Sequence, residues 1–240
     1  MKILGSPGII TQARMSSTRL PEKVMKRVKG KAILEYHIER LLQSGYPVFI
    51  ATTVNEVDDI VVKFAEDHGI GYYRGDEDNV LKRYYECASK FSLDVITRVT
   101  SDCPLVDGSI IKQSIDRYLE LQDTQVYLSN YIERTFPRGF DFEVFSFRLL
   151  ETAYNNANED FDKEHVTPYI RKDRSVIFQH VTRKEDKSNY RITLDTAEDF
   201  ELISKLMGEY SCENKTAEEI IRVLDLHPEL VSINSHIQQK

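Results

Sequence analysis

Between residues 14 and 31 the chain sets Arg14, Arg19, Lys23, Lys26, Arg27, Lys29 and Lys31 against one acid, Glu22, although its formal net charge is −7. Guanidinium forks and ammonium groups grip phosphate oxygens well. A basic cluster in an acidic chain therefore points to a local anionic ligand, most naturally a phosphate chain. Most charge runs are solvated faces, and that is the competing reading. Position favours the ligand. The cluster follows an apolar run, Gly8-Ile9-Ile10-Thr11-Gln12, that reads as a buried strand. It precedes residues 32–42, where apolar side chains recur at helical spacing. Loops of this kind lie beyond the carboxyl ends of strands, where open α/β sheets bind ligands. Asp102 occupies a similar place, after the strand-like run 94–100, and there a carboxylate suits a magnesium ion better than an ordinary turn.

The remaining chain must position these groups. Residues 46–52 read as an uncharged strand, as expected when both faces are covered. An amphipathic helix over 57–68 turns Ile60, Val61 and Phe64 inward and stops at Gly69, a usual C′ residue. A strand over 71–74 leads to the polar turn Gly75-Asp76-Glu77-Asp78, and a helix spans 79–91. This alternation predicts an α/β fold, with a Rossmann-like, mostly parallel sheet and right-handed crossovers. Asp107 is the cap of a helix reaching about Leu121.

Over 126–145 the pattern turns β-like, and Asp141 and Glu143 share one face of a strand over 140–145. That face either forms a pocket or meets water, and Arg138 either pairs with a ligand or bonds these acids. Helices over 147–156 and 163–171 and a strand over 176–181 follow. Thr196 and Asp199 form a capping-box-like pair, which explains both residues and makes Asp199→Asn a mild change. Asp195 is left free, just outside that helix at the end of a strand. Residues 216–240 hold one more helix and a polar tail. No linker-like stretch interrupts the chain, so a single domain over 1–240 is expected.

Gln12-Ala13-Arg14, Ser17-Thr18-Arg19-Leu20-Pro21 and Lys23 resemble the signature loop of the sugar cytidylyltransferases. The likeness continues in order through Tyr84-Tyr85-Glu86, Arg98-Val99-Thr100-Ser101-Asp102-Cys103-Pro104-Leu105-Val106-Asp107, Glu164-His165-Val166-Thr167-Pro168-Tyr169-Ile170 and Leu194-Asp195-Thr196-Ala197-Glu198-Asp199. The loop is similar to that of 3-deoxy-manno-octulosonate and acylneuraminate cytidylyltransferases, and the chain to about residue 207 resembles the SpsF branch of spore coat polysaccharide biosynthesis proteins. The resemblance implies the nucleotide-diphospho-sugar transferase fold with a small antiparallel excursion. It implies transfer of CMP from CTP to an acidic sugar or phosphorylated small-molecule acceptor, with release of pyrophosphate, for surface polysaccharide or glycoconjugate synthesis.

On the same resemblance, Arg14 and Lys23 serve catalysis at the triphosphate and its leaving group, with Arg19 assisting. Gln12, Ser17 and Thr100 help seat the nucleotide, and Gly75 and Asp78 contact base or ribose. Arg138, Asp141, Glu143 and His165 belong to the acceptor site, and Asp102 and Asp195 hold one or two Mg²⁺ ions. A homodimer is one assembly the likeness allows. The family usually has Gly where this chain has Ser16, Glu22 and Ser101.

Composition narrows the alternatives. A hydrophobic content of 41% without low-complexity tracts indicates a folded chain. A pI near 5.5 argues against a general nucleic-acid or membrane-surface binder. Cys87, Cys103 and Cys212 lack C-x-x-C spacing and suggest a reducing compartment. No signal-type apolar region opens the chain and no apolar run approaches ~18 residues, so a cytoplasmic location is expected. There is no G-x-G-x-x-G or Walker loop. A uridylyl- or guanylyltransferase is a rival within the class. A glycosyltransferase would need a D-x-D-type metal motif, which Asp141-Phe142-Glu143 loosely imitates. A nucleotide-binding module without catalysis is the third reading.

Overall fold

The computed structural model describes residues 4–238. In chain order the elements are β1 (Pro7–Gln12), β2 (Arg27–Val28), β3 (Lys31–Ala32), α1 (Ile33–Leu42), β4 (Val48–Thr53), α2 (Asp59–Asp67), β5 (Gly71–Gly75), α3 (Val80–Lys90) and β6 (Val95–Thr100). There follow α4 (Gly108–Leu121), β7 (Val126–Ser129), β8 (Glu143–Ser146), α5 (Phe147–Asn156), α6 (Asp160–His165), α7 (Pro168–Lys172), β9 (Ile177–His180), α8 (Ala197–Gly208), α9 (Ala217–Leu226) and α10 (Pro228–Ser232).

The strands build a seven-stranded sheet in the order β5-β4-β1-β6-β8-β7-β9, with β2 and β3 as a separate antiparallel pair. β1 pairs in parallel with both β4 and β6, and β8 runs antiparallel to β6 and β7. The fold is thus the expected Rossmann-like, mostly parallel sheet with a small antiparallel excursion. Its strand order reverses at β1, where the next strand lies on one side and β6 on the other. That reversal opens a crevice beyond the carboxyl ends of β1 and β6.

Alternate residues of the central strands serve opposite layers. Ile9, Val95 and Val99 join a core with Leu34, Ile38, Val61, Phe64, Ile111 and Ile115 from α1, α2 and α4. Ile10 and Ile96 join one with Leu81, Tyr84, Leu149 and Ile170 from α3, α5 and α7. A third core gathers Leu202, Leu206, Ile220 and Leu230 from α8, α9 and α10 against Ile33 of α1.

Several expectations are corrected. Ile60 is exposed, because the inner side of α2 is taken by Val61, Phe64 and Ala65. The helix expected over 163–171 is two helices, α6 and α7, broken at Val166. Of the β-like stretch 126–145 only β7 and the start of β8 are strand. All four β8 residues are buried, since the strand lies between two neighbours and under helices, so Glu143 does not meet water. Asp195 does not end a strand. The segment before it makes an isolated bridge between Arg138 and Arg191, with Ile192 N–H donating to the Arg138 carbonyl at 2.8 Å. Gly139 makes this approach possible: its φ is +108°, and a Cβ there would lie 2.7 Å from the Ile192 carbonyl. The polar tail contains α10, and Leu230 is buried in the third core.

Candidate active site

Gln12 and Thr100 stand opposite each other at the ends of β1 and β6, and the Ser101 N–H donates to the Gln12 carbonyl at 3.3 Å. The basic loop leaves from this point. Its base is fixed by the Met15 N–H on Asp58 Oδ1 at 2.7 Å and the Glu22 N–H on the Met15 carbonyl at 3.2 Å. Beneath it, the His37 ring bridges the Thr11 hydroxyl and the Cys103 carbonyl, both at 2.9 Å, and Thr11 in turn meets the Ser101 hydroxyl at 2.9 Å. A carbonyl only accepts, so Nδ1 carries the proton and Nε2 accepts from Thr11. Burial pushes the His37 pKa down to about 4, so the ring is neutral near pH 7.

A cavity of about 250 Å³ at this edge is lined by Gln12, Arg14, Ser17, Lys23, Arg83, Arg98, Thr100 and Asp102, among others. Arg14 pairs with Glu77 at 3.3 Å, and Glu77 also accepts from Ser16 and Asn55. Asp78 lines an adjoining cavity of about 520 Å³ together with Arg14, Glu77 and Glu164. Gly75 lines neither. It ends β5 opposite Thr53, and its carbonyl accepts from the Val54 N–H at 3.1 Å.

Asp102 and Asp195, 93 positions apart, meet at one ammonium. Lys23 Nζ donates to Asp102 Oδ2 at 3.1 Å and to Asp195 Oδ1 at 2.8 Å. The Leu194 N–H and the Thr193 hydroxyl both donate to the Asp102 carbonyl, at 2.8 and 3.2 Å, which fastens the two segments together. Thr100 donates to Asp102 Oδ1 at 2.5 Å, and Arg19 and Arg191 flank Asp195 Oδ2 at 3.2 and 3.3 Å. Burial by itself would raise the Asp102 pKa, but the Lys23 charge and the Thr100 bond hold it at about 2. Two carboxylates closing on one cation are a donor set that a hard divalent ion accepts, with waters and phosphate oxygens filling the shell. Among the described residues no group of three or more His, Cys, Asp or Glu could hold a metal by itself. These two residues therefore fit a metal that keeps most of its other ligands from solvent or substrate.

The acceptor candidates share a second, larger cavity of about 780 Å³ that also reaches Arg19, Asp102 and Asp195. Gln12, Arg98, Thr100, Asp102, Glu164 and His165 line both this cavity and the smaller one, so they form the common wall. Two of its acids, Asp141 and Glu143, are committed. Asp141 accepts from Arg134 at 2.5 and 3.1 Å, and burial still raises its pKa against that pull. Glu143 accepts from Arg98, Tyr127 and Thr167; burial opposes its charge, and Arg98 with these bonds outweighs burial and lowers its pKa. Neither half of the Asp141-Phe142-Glu143 stretch is available to a metal.

Arg138 and Arg171 are different: among the described residues neither has an ion-pair partner. The Arg171 guanidinium lies 5.6 Å from the Tyr131 ring centre, and its Nε is buried without a hydrogen-bond partner. His165 is exposed at the common wall, next to a Val166 held at φ 71° and ψ −55°, with the Thr167 N–H on the His165 carbonyl at 2.8 Å. That is a strained γ-turn, costly for a β-branched residue. Sequence reading missed Arg83, Arg98 and Arg171 as site residues. For Arg83 a signal existed: it falls between core positions 80, 81, 84, 87 and 88 of α3, and a charge on that face needs a reason.

A family model described as cytidylyltransferase matches residues 8–224. The chain is 33% identical over 233 residues to the spore coat polysaccharide biosynthesis protein SpsF of Bacillus subtilis, covering 92% of this chain and 94% of that protein. It is 32% identical over 114 residues to a 3-deoxy-manno-octulosonate cytidylyltransferase of Aeromonas salmonicida, 45% of this chain and 44% of that one. A solved cytidylyltransferase structure from Leptospira borgpetersenii superposes with a TM-score of 0.90 at 32% identity, covering 94% of this chain and 96% of that one.

Proposed function

The chain belongs to the cytidylyltransferase family and is a CTP-dependent nucleotidyltransferase, and we propose that it moves CMP from CTP onto a small acceptor bearing a carboxylate or phosphate, releasing pyrophosphate. The observation that carries the acceptor class is the pair of guanidiniums without an ion-pair partner among the described residues, Arg138 and Arg171, in a cavity whose Asp141 and Glu143 are already paired with Arg134 and Arg98. A charge-assisted bond to such a guanidinium favours an anion over a neutral sugar.

The residues divide the work as follows. Arg14, Arg19 and Lys23 neutralise the triphosphate and the charge that grows on the departing pyrophosphate, the largest single demand in such a transfer. Gln12, Ser17 and Thr100 seat the nucleotide along the smaller cavity, and Asp78 lines the space next to it. Asp102 and Asp195 hold a divalent cation, Mg²⁺ in this reading, whose chemistry would be to offset phosphate charge. The common wall, with His165 and Arg98, keeps the acceptor oxygen and the α-phosphorus side by side, so attack and departure can be in line.

A homodimer is part of this reading, supported by β9 as an edge strand with Ile177 exposed. So are a single catalytic domain over 1–240, a role in surface polysaccharide or glycoconjugate synthesis, and a cytoplasmic location in keeping with three free thiols. Pyrophosphate release from CTP should be measured with panels of carboxylated, phosphorylated and neutral sugars. Release is expected with an anionic acceptor and should fall when Arg138 or Arg171 becomes Gln. Equal rates with neutral acceptors would defeat the assignment.

A further inference from the structure

We propose that Lys23 and Arg19 keep the Asp102–Asp195 pair closed to divalent cations until a triphosphate draws them away, so that metal and nucleotide enter interdependently. The proposal rests on the reading of the acid pair as a cation site. All four carboxylate oxygens of the pair are engaged by side chains of the protein itself. Lys23 holds Asp102 Oδ2 and Asp195 Oδ1 at 3.1 and 2.8 Å. Thr100 holds Asp102 Oδ1 at 2.5 Å, and Arg19 and Arg191 hold Asp195 Oδ2 at 3.2 and 3.3 Å. An ammonium between two carboxylates fills the space a metal would need and cancels the field that would attract it.

The surroundings make this closure reversible on one side only. Arg191 is anchored to Asp199 by two bonds of 2.8 Å and stays where it is. Lys23 and Arg19 instead come from the basic loop, whose backbone is pinned while their long side chains reach across to the acids. Lys23 also lines the smaller cavity beside Gln12, Arg14 and Ser17, so a swing of the ammonium onto phosphate oxygens needs no movement of the loop. A triphosphate offers these cations more negative charge than the two carboxylates do. Once they leave, the two carboxylates are no longer neutralised by Lys23 and Arg19, Arg191 alone still faces Asp195, and the pair takes the ion. Linkage then requires the ion to tighten nucleotide binding by the same factor.

The test is a Mn²⁺ titration of nucleotide-free protein, reading free ion by electron paramagnetic resonance. Wild type should bind weakly and Lys23→Met about tenfold tighter or more, within the usual range of coupling between sites. The same variant should bind α,β-methylene CTP more weakly in the absence of metal, a sign opposite to its effect on Mn²⁺. Adding Asp195→Asn to Lys23→Met should remove the gained Mn²⁺ site. If Lys23→Met retains the wild-type thermal transition and binds Mn²⁺ no tighter, the closure is overturned, while the cation-site reading survives provided Mn²⁺ binds in the presence of the analogue. Failure of Mn²⁺ to bind under every condition would overturn both. Should Lys23→Met not fold, Lys23→Gln carries the same comparison.

Discussion

Asp199 shows how much a single carboxylate can carry. It forms the expected capping box with Thr196 at the start of α8. It also accepts from Arg191 Nε and Nη2 at 2.8 Å each, from Asn234 Nδ2 at 2.8 Å and from the N–H groups of Asp195 and Thr196 at 2.9 and 3.0 Å, with no solvent exposure. An amide in its place would turn an NH₂ toward donors and leave Arg191 with less compensating charge. From the cap alone Asp199→Asn is expected to be mild beside Asp102→Asn; the buried pairing with Arg191 argues for a larger cost in stability. The variant should lose about 3–5 kcal/mol, the cost of breaking a buried pair, as read by urea unfolding. A loss below about 1 kcal/mol would mean the network relaxes around the amide. Arg191 and Asn234 lie 8 and 35 positions away, so the local cap pattern around Asp199 carries no sign of them.

At the scale of elements, the basic loop is adapted to residues where the family usually has glycine. Ser16 donates to Glu77 at 2.5 Å, and Ser101 joins the Thr11–His37 chain. Glu22 has φ 57°, a left-handed conformation that costs an L-residue about 1–2 kcal/mol, while its side chain is exposed. Glu22→Gly removes that strain but adds about 0.4–1 kcal/mol of unfolded-state entropy to be lost. Thermal unfolding should therefore show a change between neutral and about 1.6 kcal/mol more stable; a clear destabilisation would show that the Glu22 side chain anchors the loop. The alternating strands and helices, the basic loop after β1 and the two aspartates were all legible because each leaves a local mark: apolar period, charge against the background, a polar residue after a buried run. The break between α6 and α7 leaves a mark too, Pro168, which disfavours helix at Thr167 and contradicts one continuous helix over 163–171. Glu143 and Arg171 were not legible as they stand, because their partners come from β6, β7 and the loop after β7.

For the whole molecule, the site edge and the fold's stability are joined at His37. Its ring links α1 to β1 through Thr11 and to the loop after β6 through Cys103, and it has no solvent exposure. Global unfolding releases the ring to an ordinary pKa of 6.5, against about 4 when folded. Between those values the unfolded chain binds more protons than the folded one, so stability falls as pH drops from about 6.5 toward 4 and is fully retained above. The contribution at stake is on the order of 3 kcal/mol, since each pKa unit is worth about 1.4 kcal/mol. Asp102, held at about 2, acts in a separate window: its stabilisation persists above about 3.8 and is lost only below it. The two can thus be told apart by pH alone. Urea unfolding of wild type and His37→Gln at pH 7, 5.5 and 4.5 should show the wild-type advantage shrinking across this series. An advantage that stays constant from pH 7 to 4.5 would mean that His37 is charged or solvated in the folded protein, and that the chain from Ser101 through Thr11 does not depend on a neutral ring.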